Sequence, residues 1–187
     1  MLIPLRLSSQ SDEQLMQRAS RGSNRAFEEL YNRYARRLQG FFVRRLGDDA
    51  DLAADFMHDT FLRLYAAREK YHEGNSFRAW LYTIAYNLCK NHHRNQLAIV
   101  PADSVAEEAA EADIEVELDE SILHNALREA LKRLPEHYAM LFSLHYEEEL
   151  TIPQIAQIAD LPEGTVKSRL HKTMNIIKQQ LKQYENR

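Results

Sequence analysis

Apolar residues recur at intervals of three and four along almost the whole chain, and no stretch shows the strict apolar–polar alternation of a half-buried strand. A sequence with that period can hide its apolar faces only by packing helix on helix, so the fold class is all-α. The first helix is expected over 11–21 and ends at Gly22. A longer one follows over 24–46, with Ser23 as its cap and Gly47 as its stop. Phe27, Leu30, Tyr31, Tyr34, Leu38, Phe41 and Phe42 form its apolar face. A third helix starts after Asp48 and Asp49, whose carboxylates suit the positive end of a helix, and runs to about Arg68. Its inward side is Ala53, Phe56, Met57, Thr60, Phe61 and Leu64. After the loop YHEGNS, Ser76 opens a fourth helix with Phe77, Trp80, Leu81, Ile84 and Leu88 buried. These four helices suffice for one bundle.

The charge pattern divides the chain. The net charge of −4 hides a segregation, because residues 103–120, DSVAEEAAEADIEVELDE, carry nine acids and no base. Residues 97–119 lack a sustained apolar stripe and read as a flexible acidic linker. Beyond it, helices are expected over about 120–134, 136–147, 152–159 and 163–184, with Pro135 breaking the first pair. Thr151 and Gln154 have the spacing of a capping box, and Pro153 sits in the first turn of the helix they open. The expected organisation is a helical domain over 1–96, the linker over 97–119, and a second helical domain over 120–187.

Composition and spacing weigh against several function classes. Cys89 is the one cysteine, so neither an intrachain disulfide nor a cysteine zinc cluster is available, which suits a reducing compartment. The start, MLIPLRLSSQSDEQL, has too short an apolar run for a secretory signal, and no stretch approaches the roughly 18 apolar residues of a bilayer span. A soluble, cytoplasmic protein is expected. His92 and His93 are neighbours that point apart on a helix, and no histidine pair has metal-ligand spacing. No metal, cofactor or catalytic constellation is expected. Cys89 reads as a small core residue.

Two helix faces carry chemistry suited to nucleic acid. The stretch IPQIAQIADLPEGTVKSRLHK has the form of a helix-turn-helix. Val166, Leu170, Met174, Ile177 and Leu181 fall on one side of its second helix. The other side shows Gly164, Thr165, Ser168, His171, Lys172 and Asn175, flanked by Lys167 and Arg169. Small, hydrogen-bonding and cationic groups are what a helix needs to enter a major groove and neutralise phosphates. The competing reading is an amphipathic helix that merely closes a bundle. On the fourth helix the outward side is expected to offer Arg78, Tyr82, Tyr86, Asn87, Lys90, Asn91 and Arg94. Interleaved aromatics, amides and cations suit a single strand, although an ordinary polar face with half-buried tyrosines accounts for them too.

In this order and spacing, DEQLMQRASRGSNRAFEELYNRY, DLAADFMHDTFLRLY, FRAWLYTIAYNLCKNHHR and LREALKRLPEHYAMLFSLHYEEELTIPQIAQIADLPEGTVKSRL resemble the bacterial RNA polymerase sigma factors of the sigma-70 type, in their small extracytoplasmic-function (ECF) branch. The resemblance implies a first domain like the family's region 2 and a last domain like its region 4. Asp51, Asp55, His58, Asp59 and Leu62 match the surface that grips the polymerase clamp's coiled coil, with His58 standing where glutamine is common. The loop from Tyr71 to Ser76, including Asn75, matches the segment that captures a base flipped from the promoter's minus-ten element. Asn87 aligns with the base-reading asparagine, with Tyr82 and Tyr86 nearby, and Lys90 and Arg94 align with strand-holding positions. Thr165, Lys167, Ser168, Arg169, His171 and Lys172 align with minus-thirty-five readers.

The implied partners are core RNA polymerase (clamp coiled coil and flap), promoter DNA, and an anti-sigma factor of the kind commonly anchored in the membrane. No stable homo-oligomer is implied. The acidic linker reads either as a solubilising strap or as a phosphate mimic that threads a positive channel. Two rivals are a dimeric helix-turn-helix regulator that works without polymerase and a helical adaptor that binds only protein.

Overall fold

The computed structural model describes residues 7–99 and 120–185, and of 97–99, 120–125 and 182–185 the backbone alone. The described residues are helices and connecting turns with no strand: α1 (Asp12–Ser20), α2 (Asn24–Arg45), α3 (Ala50–Ala66), α4 (Phe77–Ile99), α5 (Glu120–Lys132), α6 (Glu136–Phe142), α7 (Ile152–Ala159) and α8 (Glu163–Glu185). They fall into two compact units, one made of the residues up to His93 with Gln157–Ala159 and the other of Arg94–Ala156 with the residues from Asp160 onward. The all-α expectation holds, and helix starts agree with the sequence reading to within a residue or two. Helix α4 keeps helical backbone to Ile99, into the expected linker. The acidic stretch 103–119 lies outside the described residues. No described helix is long and apolar enough to cross a membrane.

Local chemistry sets the first unit's boundaries. Ser11 accepts from the Gln14 amide at 3.2 Å while Gln14 Oε1 accepts from the Ser11 amide at 3.1 Å, a reciprocal cap on α1. Ser23 Oγ accepts from the Ala26 amide at 3.4 Å to start α2, and Asp49 Oδ1 accepts from the Leu52 amide at 2.9 Å to start α3. Between α2 and α3 the chain turns through Gly47 at φ 72° and Asp48 at φ 64°, both left-handed. The core is an aromatic stack running between α2 and its neighbours. Tyr34 meets Phe77 at 5.3 Å, Phe41 meets Tyr82 at 5.6 Å and Phe42 meets Phe56 at 5.6 Å, all edge-on. Leu15, Met16, Leu30, Leu38, Leu64 and Leu81 close around them and are fully buried, each contributing about 1.5–3 kcal/mol.

A polar clasp ties the chain's early residues to that bundle. Arg33 on α2 donates to Asp12 at 2.9 Å, to Glu29 at 3.0 Å, and to the carbonyls of Leu7, Ser8 and Gln10 at 3.2, 3.1 and 2.9 Å. Tyr34 donates to the other oxygen of Asp12. The guanidinium fork thus holds the 3-10 turn Leu7–Ser9 against α2.

In the second unit α5, α6 and α8 enclose Leu134, Ala139, Phe142 and Ile177, with Leu127, Leu131, Tyr138, Met174, Ile176 and Leu181 packed against them. The sequence predicts one helix over 136–147, but α6 stops at Phe142 and the chain continues as a π-helical turn, Ser143–Glu147. Leu144 and Leu150 are both buried, and the Leu150 amide reaches back to the Leu144 carbonyl at 3.0 Å. The wider turn brings two apolar side chains inward over a short span, which a regular α-helix could not do.

Candidate nucleic-acid interface

Helix α8 bears out its expected sidedness. Val166, Leu170 and Ile177 are buried, while Gly164, Lys167, Ser168, His171, Lys172 and Asn175 are exposed and Thr165 and Arg169 half-buried. It is aimed by a short turn. The Thr151 amide donates to Gln154 Oε1 at 2.9 Å to open α7, and α7 ends where Asp160 takes φ 54°. The Leu161 amide returns to the Ala156 carbonyl at 3.0 Å, and the Pro162 carbonyl then accepts from the amides of Thr165 at 2.9 Å and Val166 at 3.1 Å. Two helices joined by three residues, the first of them left-handed, form a helix-turn-helix. On the exposed row Ser168 Oγ donates to the Thr165 carbonyl at 3.0 Å, and Asn175 Nδ2 lies 3.3 Å from His171 Nδ1. Those groups form a pre-arranged polar strip with Lys167 and Lys172 beside it.

One part of this surface was not legible from α8 alone. The Lys172 ammonium lies 5.5 Å from the Tyr138 ring centroid on α6. The neighbouring His137 ring is 4.2 Å from that same ring. Burial pushes the His137 imidazole below its ordinary value, and the positive charges of Arg169 and Lys172 push it the same way, while Glu136 acts in the opposite sense. His137 and Tyr138 join the basic strip only through packing between helices, which local periodicity does not encode.

On α4 the sequence reading needs correction. Tyr82, expected on the outward side, is fully buried with its ring against Phe41. The buried arc is Phe77, Leu81, Tyr82, Ala85, Leu88 and Cys89, whereas Trp80 and Ile84, expected in the core, are half-buried. The helix is rotated relative to the expectation because Ala85 and Cys89 are small enough to let it approach closely along that arc. Trp80 and Ile84 carry a stronger apolar signal than Ala85, so local periodicity alone points the helix the other way. Asn87, Lys90, Asn91 and Arg94 are exposed and Tyr86 is half-buried, so the polar face survives without Tyr82. Cys89 is buried as expected.

Tyr71 is also turned inward. It is 9 % exposed, its ring stacks on Trp80 at 5.6 Å, and its hydroxyl donates to the Asn75 carbonyl at 2.5 Å. Burial, with Glu13 and Asp12 nearby, raises the phenol to about 12. In this conformation Tyr71 props the loop rather than presenting its ring. His72, Glu73, Gly74 and Asn75 are exposed above it, and Gly74 takes φ 92°.

The α3 face is as expected. Asp51, Asp55, His58 and Leu62 are exposed on one stripe with Asp59 half-buried at its edge, and Leu62 is 68 % exposed. Asp59 pairs with Arg63 at 3.0 Å, and the Tyr31 hydroxyl approaches His58 Nε2 at 3.4 Å. Phe27, Tyr31, Phe61 and Tyr65 form an aromatic layer beneath, with ring spacings of 4.7–6.2 Å. Among the described residues no group of histidine, cysteine and carboxylate side chains could hold a metal ion.

Comparison with known proteins agrees with these features. The family described as Sigma-70 region 2 matches residues 30–98, and the one described as Sigma-70, region 4 matches residues 124–175. The RNA polymerase sigma-H factor of Pseudomonas aeruginosa is 31% identical over 183 residues, covering 91% of this chain and 94% of its own. The ECF RNA polymerase sigma-E factor of Escherichia coli is 30% identical over 180 residues, covering 89% and 92%. Among solved structures, CnrH in complex with the cytosolic domain of CnrY superposes with a TM-score of 0.67 at 20% identity, covering 91% of this chain and 97% of that one. The sigma factor RpoE in complex with the anti-sigma factor NepR, from Bartonella quintana, gives 0.64 at 23%, covering 83% and 96%. The last two share the fold. With a helix-turn-helix in one unit, a polar α4 face in the other and a relative this similar along nearly its whole length, the chain belongs to the sigma-70 family of RNA polymerase sigma factors, in its ECF branch.

Proposed function

We propose that this chain binds core RNA polymerase in the cytoplasm and directs it to promoters, with its two units reading two separate promoter elements. The exposed strip of α8, from Thr165 to Lys172, reads duplex at the minus-thirty-five element. Ser168 and His171 face base edges there, while Lys167, Arg169 and Lys172 neutralise phosphates. Asn87 on α4 and Asn75 in the loop receive melted minus-ten strand, and Lys90 and Arg94 hold its backbone. Tyr71 braces that loop from below. The α3 stripe from Asp51 to Leu62 meets the polymerase clamp, and the second unit meets the flap.

The observation that carries this reading is the exposed α8 strip following a helix-turn-helix turn, in a chain whose other unit carries its own amide and cation face. Membership of the family supplies the polymerase partner. The chain is an initiation factor, and no catalytic residue is assigned to it. An anti-sigma factor, which the solved complex of one fold relative contains, would silence this chain by covering those same faces. The test is run-off transcription by core polymerase on a library of promoter fragments, with and without the chain. Promoter-specific transcripts that depend on the chain are expected, and transcript patterns indifferent to it would refute the reading.

A further inference from the structure

We propose that a backbone phosphate of duplex DNA is held at the α6–α8 seam between His137, Arg169 and Lys172, and that His137 takes up a proton as the phosphate binds. The inference rests on the reading of α8 as a duplex reader and adds a contact from a different helix. The Lys172 ammonium lies at a cation–π distance from Tyr138, 5.5 Å, which places it at the seam between α6 and α8. Tyr138 is itself fixed, being packed on the core of the unit. The His137 ring lies 4.2 Å from the same phenol ring, so an ammonium and an imidazole from two helices converge on one support.

Arg169, one turn before Lys172, completes the set. The charged groups acting on His137 are Arg169 and Lys172 on α8, which disfavour its protonation, and Glu136 on its own helix, which favours it and acts least. Arg169, Lys172 and the His137 ring therefore form a cluster in which the two cations disfavour a third positive charge. A phosphate reverses that balance, since it offsets the two cations and accepts a hydrogen bond from the imidazolium. Duplex DNA is the source the surface favours. The adjacent strip of Lys167, Ser168, His171 and Asn175 is exposed, and phosphate strands flank any helix that lies in a major groove.

The sign follows from linkage. His137 has a higher pKa in the complex than in the free protein, so its contribution to binding is complete below the free value and is lost as pH rises through the bound value. Each unit of rise corresponds to about tenfold in affinity. The experiment measures fluorescence anisotropy of a promoter duplex with the chain bound to core polymerase, from one unit below to one unit above 6.5, the ordinary imidazole value. Wild type should tighten as pH falls by up to about tenfold more than His137→Gln. At the acid end its log–log salt slope should exceed the variant's by about 0.9.

His171 also lies on the strip, so the comparison that counts is wild type against His137→Gln, with His171→Gln expected to keep the difference. Histidine ring resonances of the full chain give an independent readout. His137 should titrate at higher pH with duplex than without, and Lys172→Met should raise its free value. Equal pH slopes for wild type and His137→Gln, or a His137 titration that does not rise on adding duplex, would overturn the inference. A chain that binds no duplex at any pH would instead remove the reading of α8, and this contact with it.

Discussion

Tyr82 offers the sharpest single perturbation, because the sequence and the structure assign it opposite places. If its ring faced a DNA strand, removal would cost little stability and much binding, since surface substitutions stay within about 0.5 kcal/mol. The structure buries the ring completely against Phe41 at an edge-on distance of 5.6 Å. Truncating a buried aromatic to alanine costs about 3–5 kcal/mol, from lost transfer energy together with the cavity left behind. For a unit of this size each kcal/mol shifts Tm by about 4–8 °C, so Tyr82→Ala should lower it by roughly 12–40 °C. Tyr82→Phe keeps the ring and its edge-on contact with Phe41 and should cost far less than the truncation to alanine. Trp80 is the one tryptophan in the chain and stacks on Tyr71 in the same unit, so its fluorescence in a urea titration follows this unit selectively. A Tyr82→Ala midpoint that matched wild type, with strand binding lost, would refute the rotated placement of α4.

Other substitutions test the remaining packing and charge arguments. Gly40→Ala in the middle of α2 should stabilise the first unit by about 0.5–1 kcal/mol, since the added methyl meets only the flexible Arg44 guanidinium, at 3.3 Å; a lower urea midpoint would contradict this. Arg33→Met should destabilise by about 2 kcal/mol and expose residues 7–12 to hydrogen exchange, the several charge-assisted bonds being discounted because the side chain is a quarter exposed. Unchanged protection there would show that the clasp is incidental. Tyr71 has a folded value of about 12 against 10.0 unfolded, so its contribution is complete below 10 and lost as pH rises through 12. Tyr71→Phe should flatten the alkaline loss of stability by about 2–3 kcal/mol across that window, and an identical alkaline profile would show the phenol to be solvated.

Where the sequence was informative, the reason is that signals at different levels agreed. Ser11, Ser23 and Asp49 cap helices whose apolar faces begin at the next turn, and Asp160 interrupts α7 at the residue after its stripe ends. The α8 strip and the α3 stripe were legible because each helix has large apolar residues on one side and charged residues on the other. Helix α4 has no such contrast. Its core-facing side includes Ala85, Cys89 and a tyrosine, and Trp80 is only half-buried, so packing of Phe77 and Tyr82 against Tyr34 and Phe41 of α2 fixes the rotation. The π-helical turn at Ser143–Glu147 was hidden for a related reason, since it answers the need to bury Leu144 and Leu150 rather than any local propensity. Tyr138 and His137 belong to the α8 surface through tertiary contact, which no single-helix pattern records.

The account stands or falls on the two polar faces acting on one promoter in different ways, α8 by recruitment and α4 by holding open strand. Permanganate reactivity of minus-ten thymines, read beside upstream duplex protection in complexes with core polymerase, separates the two. Asn87→Glu should keep upstream protection and lose minus-ten reactivity, and Ser168→Glu should lose both. Normal opening by both variants, each still bound to core, would contradict the account.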